Sequence, residues 1–185
     1  VHLRHHSGNN DPKDEKGETY DWMSLFRYGK DGEVESVWGY TFLGFFRGNP
    51  VQLFRTIYKK SPSKAIQGAV EYFIFLSLAF GILIYDWQLL LFIFPFYFLG
   101  HTLSSINGYY EHFGSDSKEP YALGVSSYGR LYNLLWFNNG YHAEHHYKPG
   151  VHWTKMKDLS ISIAKEMKRV GTKVLRFPQQ IGFLN

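Results

Sequence analysis

The chain has 185 residues, of which 44% are hydrophobic and 19% aromatic, so it has the length of one domain and ample material for an apolar core. Its formal charge of +4 is modest and its basic residues are interleaved with acidic ones, which argues against nucleic acid as a partner and favours a membrane surface. With no cysteine, disulfides, thiolate metal sites and iron–sulfur clusters are excluded, so any metal must bind nitrogen or oxygen ligands.

The chain opens on a cluster of histidines. His2, His5 and His6 follow the spacing H-x-x-H-H, which places three imidazoles on one face of a helix, where they can converge on one metal. The alternative is a solvated histidine patch, which would require the same spacing to arise by accident a second time, at 142–146. Because neither an initiator Met nor a signal peptide precedes the cluster, we expect a truncated chain.

The next part of the chain is predicted to stay on the water side of a membrane. Residues 7–35 are rich in Gly, Asn, Asp, Lys and Glu, which is typical of a polar excursion. Residues 38–54 are aromatic, but Arg47 and Pro50 interrupt them, and the stretch is shorter than the ~20 apolar residues that a span needs. It is therefore predicted to be interfacial.

Residues 69–104 form the apolar part of the chain, with Asp86 as the only formal charge over most of it. A single helix of this length would be ~54 Å long, far more than a hydrocarbon core of ~30 Å. We therefore predict a transmembrane hairpin over about 69–106 that turns at Asp86, where Tyr85 and Trp87 suit the headgroup region. The alternative is a soluble protein with two buried core helices, which is weaker because neither segment has a polar stripe.

Basic residues before the hairpin, Lys59, Lys60 and Lys64, place residues 1–60 and 107–185 on the cytoplasmic side. His112 thus returns to the side of the first cluster, followed by a second H-x-x-H-H cluster at 142–146. Beyond it, apolar residues at helical spacing alternate with lysines, which predicts an amphipathic helix on the membrane or on the domain. Its apolar residues are Leu159, Ile163, Met167 and Val170.

The expected fold is therefore all-α and forms a single domain over residues 1–185. It is an integral membrane helical protein with one transmembrane helical hairpin, cytosolic helices that carry the histidines, and an interfacial amphipathic helix.

The histidines outnumber the four ligands of a structural zinc site, which suggests two metals. The candidate ligands are His2, His5, His6, His112, His142, His145 and His146. Imidazole suits iron, copper, zinc and nickel alike, so ligand type leaves the metal open. A metal pair at the cytoplasmic mouth of an apolar hairpin would face lipid substrates. Hydrolysis by zinc does little to inert hydrocarbon. Oxygen that iron has activated does react with it, which favours iron.

Some polar residues beside the candidate ligands are expected either to hydrogen-bond to them or to be solvated. They are Glu111, Glu144, Asn138 and Asn139. Two histidines are not expected to be ligands. His101 lies eleven residues before His112, or ~16 Å along a continuous helix. His152 follows Pro149 and Gly150, which favours a surface position or an outer position beside the site.

These residues resemble the membrane-bound, histidine-box fatty acid desaturases, whose superfamily includes alkane and carotenoid hydroxylases. The resemblance rests on H-L-R-H-H at 2–6, G-Y-Y-E-H-F-G at 108–114 and the run 131–153, with the apolar hairpin among them. It implies a centre of two non-haem iron ions, held on the cytosolic face by the seven histidines. It also implies an acyl or hydrocarbon substrate from the bilayer, O2 as oxidant, and a separate electron donor of ferredoxin, rubredoxin or cytochrome b5 type.

The chain departs from the family pattern at two points. The family's first box, H-x(3,4)-H with its own pair of membrane helices, does not occur, so the chain is expected to be the C-terminal part of the enzyme and inactive alone. The family pattern N-Y-x-E-H has Asn where Gly108 stands here, and Asn107 lies one place early.

The first functional hypothesis is thus a fatty acyl desaturase. A hydroxylase of alkane, acyl or carotenoid substrates is the alternative, and a non-catalytic metal-binding membrane protein is a second.

Overall fold

The computed structural model describes residues 2–185 and is mostly helical. Its helices and strands are, in chain order, α1 (His2–Gly8), α2 (Pro50–Lys60), α3 (Pro62–Tyr85), α4 (Trp87–His112), β1 (Ser126–Ser127), α5 (Arg130–Leu135), α6 (His142–Tyr147), α7 (Met156–Val170) and β2 (Val174–Leu175). A π-helix at Gly39–Leu43 and 3-10 helices at Trp153–Lys155 and Gln179–Leu184 complete the set. The chain divides into two compact units, one made of the chain up to Leu43 with Leu103–Asn185, the other of Gly44–Thr102.

Two helices, α3 and α4, are long and apolar enough to cross a membrane by length and composition. In the most apolar stretch of α3, 0% of the residues are buried, and in that of α4, 11% are buried. Core helices of a soluble protein would be mostly buried, so the alternative of two such helices is disfavoured. Exposed Phe, Leu and Ile side chains in this number are suited to lipid rather than to water.

Asp86 is the one residue between α3 and α4, and its side-chain Oδ1 accepts a hydrogen bond of 3.1 Å from the backbone N–H of Leu89. Both helices extend beyond the predicted range of about 69–106. The first begins at Pro62, because proline suits the first turn of a helix, and the second keeps its helical backbone as far as His112. The antiparallel hairpin, its sidedness and the single domain stay predictions.

The first unit is built around the C-terminal end of α4. Ile106, Tyr109 and Tyr110 lie on one face of that helix, because their spacing is i, i+3 and i+4. They pack into a core cluster with Leu25, Val125 and Leu175. The short strands β1 and β2 pair in parallel next to this core, with Ser126 opposite Val174. This packing carries the end of α4, and with it His112, into the protein interior.

The predicted amphipathic helix is α7, which ends at Gly171 in the left-handed conformation with φ of 76°. Its buried residues are Met156, Leu159 and Met167, so its apolar face packs against the protein. Of the two positions that the sequence left open, on the membrane or on the domain, burial favours the domain.

Candidate metal centre

Two short helices, α1 and α6, carry six of the seven candidate ligands, because each contains one H-x-x-H-H sequence. In α1 and in α6, the first and the last histidine of the cluster lie one helical turn apart. The seventh candidate ligand, His112, is the last residue of α4. The structure brings all seven candidate ligands together, although they come from three separate parts of the sequence.

One set, here named the four-histidine group, consists of His5, His112, His142 and His146. Each offers a ring nitrogen, and these nitrogens all lie within 4.8 Å of one another. The closest approach joins Nε2 of His142 and Nε2 of His112, at 3.0 Å. The four residues expose only 4% to 9% of their surface, so the group is shielded from water.

The other set, the three-histidine group, consists of His2, His6 and His145, whose ring nitrogens also lie within 4.8 Å of one another. Nε2 of His6 and Nε2 of His2 are 3.1 Å apart. This group is more exposed than the four-histidine group. The ring centroids of His6 and His146 are 4.3 Å apart, so the two groups touch and form one cluster.

Three members of the four-histidine group have an oxygen close to their other ring nitrogen. His5 donates from Nδ1 to Asp21 Oδ2 at 2.7 Å, and His146 donates from Nδ1 to Asn9 Oδ1 at 2.8 Å. Nδ1 of His142 lies 3.5 Å from Glu111 Oε1. The two hydrogen-bonded partners, Asp21 and Asn9, fix the tautomer and orientation of His5 and His146 and leave each Nε2 free for a metal.

Glu111 is itself held in place by amides. Its Oε1 accepts from Nδ2 of Asn107 and from Nδ2 of Asn139, both at 2.7 Å. Asn107 precedes Glu111 by one helical turn, so an asparagine one place early in the motif still reaches the carboxylate. Asn139 thus lies behind Glu111 and supports His142 indirectly.

The other two polar candidates have different partners. Glu144 is fully buried, and its two oxygens accept from the hydroxyls of Ser126 at 2.7 Å and Tyr128 at 2.8 Å. It therefore ties α6 to β1 and does not orient a histidine. Asn138 donates to the backbone oxygen of Trp153 at 3.1 Å, which holds the loop after α6 close to the loop before it.

The histidines are in the neutral protonation state that metal binding requires. Burial, and after it the charges of neighbouring histidines, lower the pKa of His142 and His146 and lower the pKa of His6 to about 4. Neutral imidazole is the form that binds metal. Moreover, Nε2 of His146 and Nδ1 of His6 are buried without a hydrogen-bond partner, which a bound metal would explain.

The two remaining histidines stand outside both groups. His101 lies on the same continuous helix as His112, and its ring contacts Phe45 with centroids 5.0 Å apart. His152 is exposed and hydrogen-bonds to the hydroxyl of Thr154 at 2.9 Å. That neither is a metal ligand stays a prediction.

A cavity of about 460 Å³ opens beside the cluster. His142 from the four-histidine group and His145 from the three-histidine group both line it. Its other walls include the aromatic side chains of Phe137, Tyr141 and Trp153. A small molecule in this cavity would reach a member of each group.

The sequence argument missed Asp21 and Asn9, which orient His5 and His146. Their partners lie 16 and 137 residues away, so no spacing rule connects them. Both fall in the stretch interpreted as a polar excursion, where many similar residues occur. The signal available in the sequence was weak, namely an acid and an amide shortly after the first cluster.

A family model described as fatty acid desaturase matches residues 1–177 of the chain. Neither a search of curated proteins nor a search of solved structures gave a match.

Proposed function

Because the chain belongs to the fatty acid desaturase family, we propose that it is an O2-dependent desaturase of fatty acyl chains that binds two non-haem irons through its histidines. One observation carries this proposal: seven imidazoles from α1, α4 and α6 converge in two touching groups. Membership of the family makes the protein an oxidoreductase. The two irons, the acyl substrate and the oxidant are the parts that we propose.

Each histidine group would hold one iron. The four-histidine group offers a buried, neutral donor set, and the three-histidine group offers a more open one. Iron bound there supplies the redox chemistry that activates O2. The absence of cysteine restricts the site to nitrogen and oxygen donors, which suits a non-haem iron site.

The protein's own side chains have two tasks in this proposal. Asp21 and Asn9 accept hydrogen bonds from Nδ1 of His5 and His146, so that each Nε2 lone pair stays available to the metal, while Glu111 lies 3.5 Å from Nδ1 of His142. Burial of the four-histidine group keeps water away from the reacting centre, which suppresses side reactions.

The proposed reaction removes two hydrogens from adjacent carbons of an acyl chain. Together with two electrons and two protons from outside, these hydrogens reduce O2 to two waters. The electrons would come from a separate donor of ferredoxin, rubredoxin or cytochrome b5 type, as the family implies. The apolar surfaces of α3 and α4 are suited to a substrate that partitions into lipid.

Product analysis tests this proposal. The full-length gene is expressed in a host fed with defined fatty acids, and mass spectrometry searches the lipids for new double bonds. His145→Ala is expected to abolish the product, whereas Lys157→Ala, at an exposed position outside both groups and outside the cavity, should retain it.

If the lipids carry new hydroxyl groups instead of new double bonds, the protein is a hydroxylase. If metal-loaded protein yields neither product while a donor and O2 are supplied, the proposal fails and a non-catalytic metal-binding role takes its place.

A further inference from the structure

We infer that Asn9 is a positioning residue of the metal centre, holding the ring of His146 with Nε2 directed at the metal; this rests on the metal binding in the proposed function. Oδ1 of Asn9 lies 2.8 Å from Nδ1 of His146, although the two residues are 137 positions apart in sequence. An amide oxygen accepts hydrogen bonds and cannot donate them, so Nδ1 carries the ring proton. The lone pair of the imidazole is then on Nε2.

That lone pair has no partner within the part of the chain described here. Nε2 of His146 is buried and makes no hydrogen bond, while its ring lies among those of His112 and His142, with centroids 4.8 and 4.6 Å away. A buried ring nitrogen without a partner is destabilising. Holding it there is useful only if a metal occupies the space between the rings.

The backbone at Asn9 explains why this residue type stands there. Asn9 has φ of 49° and Asn10 has φ of 60°, in the left-handed region that asparagine tolerates better than most residues other than glycine. Glycine would adopt this conformation without strain, but it has no side chain that could reach His146. Asparagine meets both requirements.

The turn that presents Asn9 is fixed on both sides. The N–H of Asn9 donates to the carbonyl of His5 at 2.7 Å, and the N–H of Asn10 donates to Asp21 Oδ2 at 3.1 Å. Gly8 lies against Asp21, where a Cβ atom would come within 2.6 Å of the Asp21 Cβ. The amide of Asn9 therefore reaches His146 from a rigid support.

This turn also connects the two histidine clusters. Asp21 Oδ2 accepts from both His5 Nδ1 and the N–H of Asn10, so one short segment orients His5 through Asp21 and His146 through Asn9. Loss of the Asn9 oxygen would let the His146 ring rotate or change tautomer. Metal affinity of the four-histidine group should fall, and that of the three-histidine group should change little.

Two variants distinguish the effect of the Asn9 hydrogen bond from the effect of its backbone conformation. Asn9→Gly keeps the left-handed turn and removes the acceptor, whereas Asn9→Asp keeps an acceptor that also tolerates this conformation. The metal-free full-length protein is titrated with Co²⁺, and binding is followed by the visible absorption of the bound ion. Asn9→Gly should weaken binding at the four-histidine group about 10- to 100-fold, and Asn9→Asp should bind at least as tightly as the unmodified protein.

Equal Co²⁺ affinity and an equal spectrum for Asn9→Gly would overturn the inference, as would an Asn9→Asp protein that binds as poorly as Asn9→Gly. If the unmodified protein binds no Co²⁺ or Fe²⁺, the proposed function fails instead.

Should Asn9→Gly not fold, the iron-loaded Asn9→Asp protein carries the test. A carboxylate on Nδ1 makes imidazole a stronger donor and should lower the Fe(III)/Fe(II) midpoint potential. Asn49→Asp is the charge-matched control, because Asn49 caps α2 and aspartate caps equally well. A potential that stays the same in both variants overturns the inference.

Discussion

Nδ1 of His5 lies 2.7 Å from Oδ2 of Asp21, and the two side chains expose 5% and 0% of their surface. A carboxylate at this position fixes the tautomer and the ring orientation of His5. Asp21 also accepts from the backbone N–H of Asn10 and Met23, so its own orientation is fixed.

Replacing Asp21 is therefore expected to weaken metal binding. Asp21→Ala should lower the affinity of the four-histidine group about 10- to 100-fold, since the carboxylate that orients His5 is lost. The measurement is a competition titration against a chelator, with metal content read by elemental analysis. Asp31→Asn is the control, because Asp31 is exposed and its φ of 53° suits asparagine. An unchanged affinity in Asp21→Ala would show that His5 needs no orienting carboxylate.

The protein purified from iron-replete cells should contain about two iron ions per complete protein, because its histidines form two groups. His145→Ala should remove iron from the three-histidine group alone, and His142→Ala should remove it from the four-histidine group. Elemental analysis and Mössbauer spectroscopy distinguish the two losses. Stoichiometric zinc without iron would contradict oxygen chemistry.

Both histidine clusters are expected on the same side of the membrane, because two candidate spans separate them, and Lys59, Lys60 and Lys64 predict that this side is cytoplasmic. The chain has no cysteine, so single cysteines can be introduced without background labelling. Ser36→Cys and Lys157→Cys, both at exposed positions, should react only with reagents that enter the cytoplasm, and Asp86→Cys should react from the opposite side. Labelling of positions 36 and 157 from different sides would mean an odd number of spans between the clusters.

The buried carboxylate of Glu144 is expected to stabilise the position of α6. Glu144→Ala leaves the hydroxyls of Ser126 and Tyr128 without their acceptor, and hydrogen bonds to a charged group contribute about 1.5 to 3 kcal/mol. Thermal unfolding of the metal-free protein in detergent should show this loss. Glu166→Ala is the matched control, since its ion pair with Arg169 lies at the surface, where such pairs contribute little to stability. Equal melting temperatures for the two variants would refute a structural role for Glu144.

Local sequence was enough to predict the features that depend on spacing along one helix. The H-x-x-H-H pattern brought the first and the last histidine of each cluster together, in α1 and in α6, since residues four apart are neighbours on a helix. The expectation that all three imidazoles of one cluster converge is wrong, because the middle ones, His5 and His145, join the other group. The long apolar stretch predicted two candidate spans, and family membership agrees with the resemblance drawn from the motifs. These features need no information about distant parts of the chain.

Only the tertiary structure decided how the histidines divide and what orients them. His5 and His6 are neighbours in sequence, yet they join different groups, because adjacent residues of a helix point about 100° apart. The contact of Asn9 with His146 spans 137 residues and depends on a left-handed turn against Asp21. Glu144 lies beside three candidate ligands in sequence, yet it hydrogen-bonds to Ser126 and Tyr128, because the packing of α6 on β1 determines which buried hydroxyls it meets.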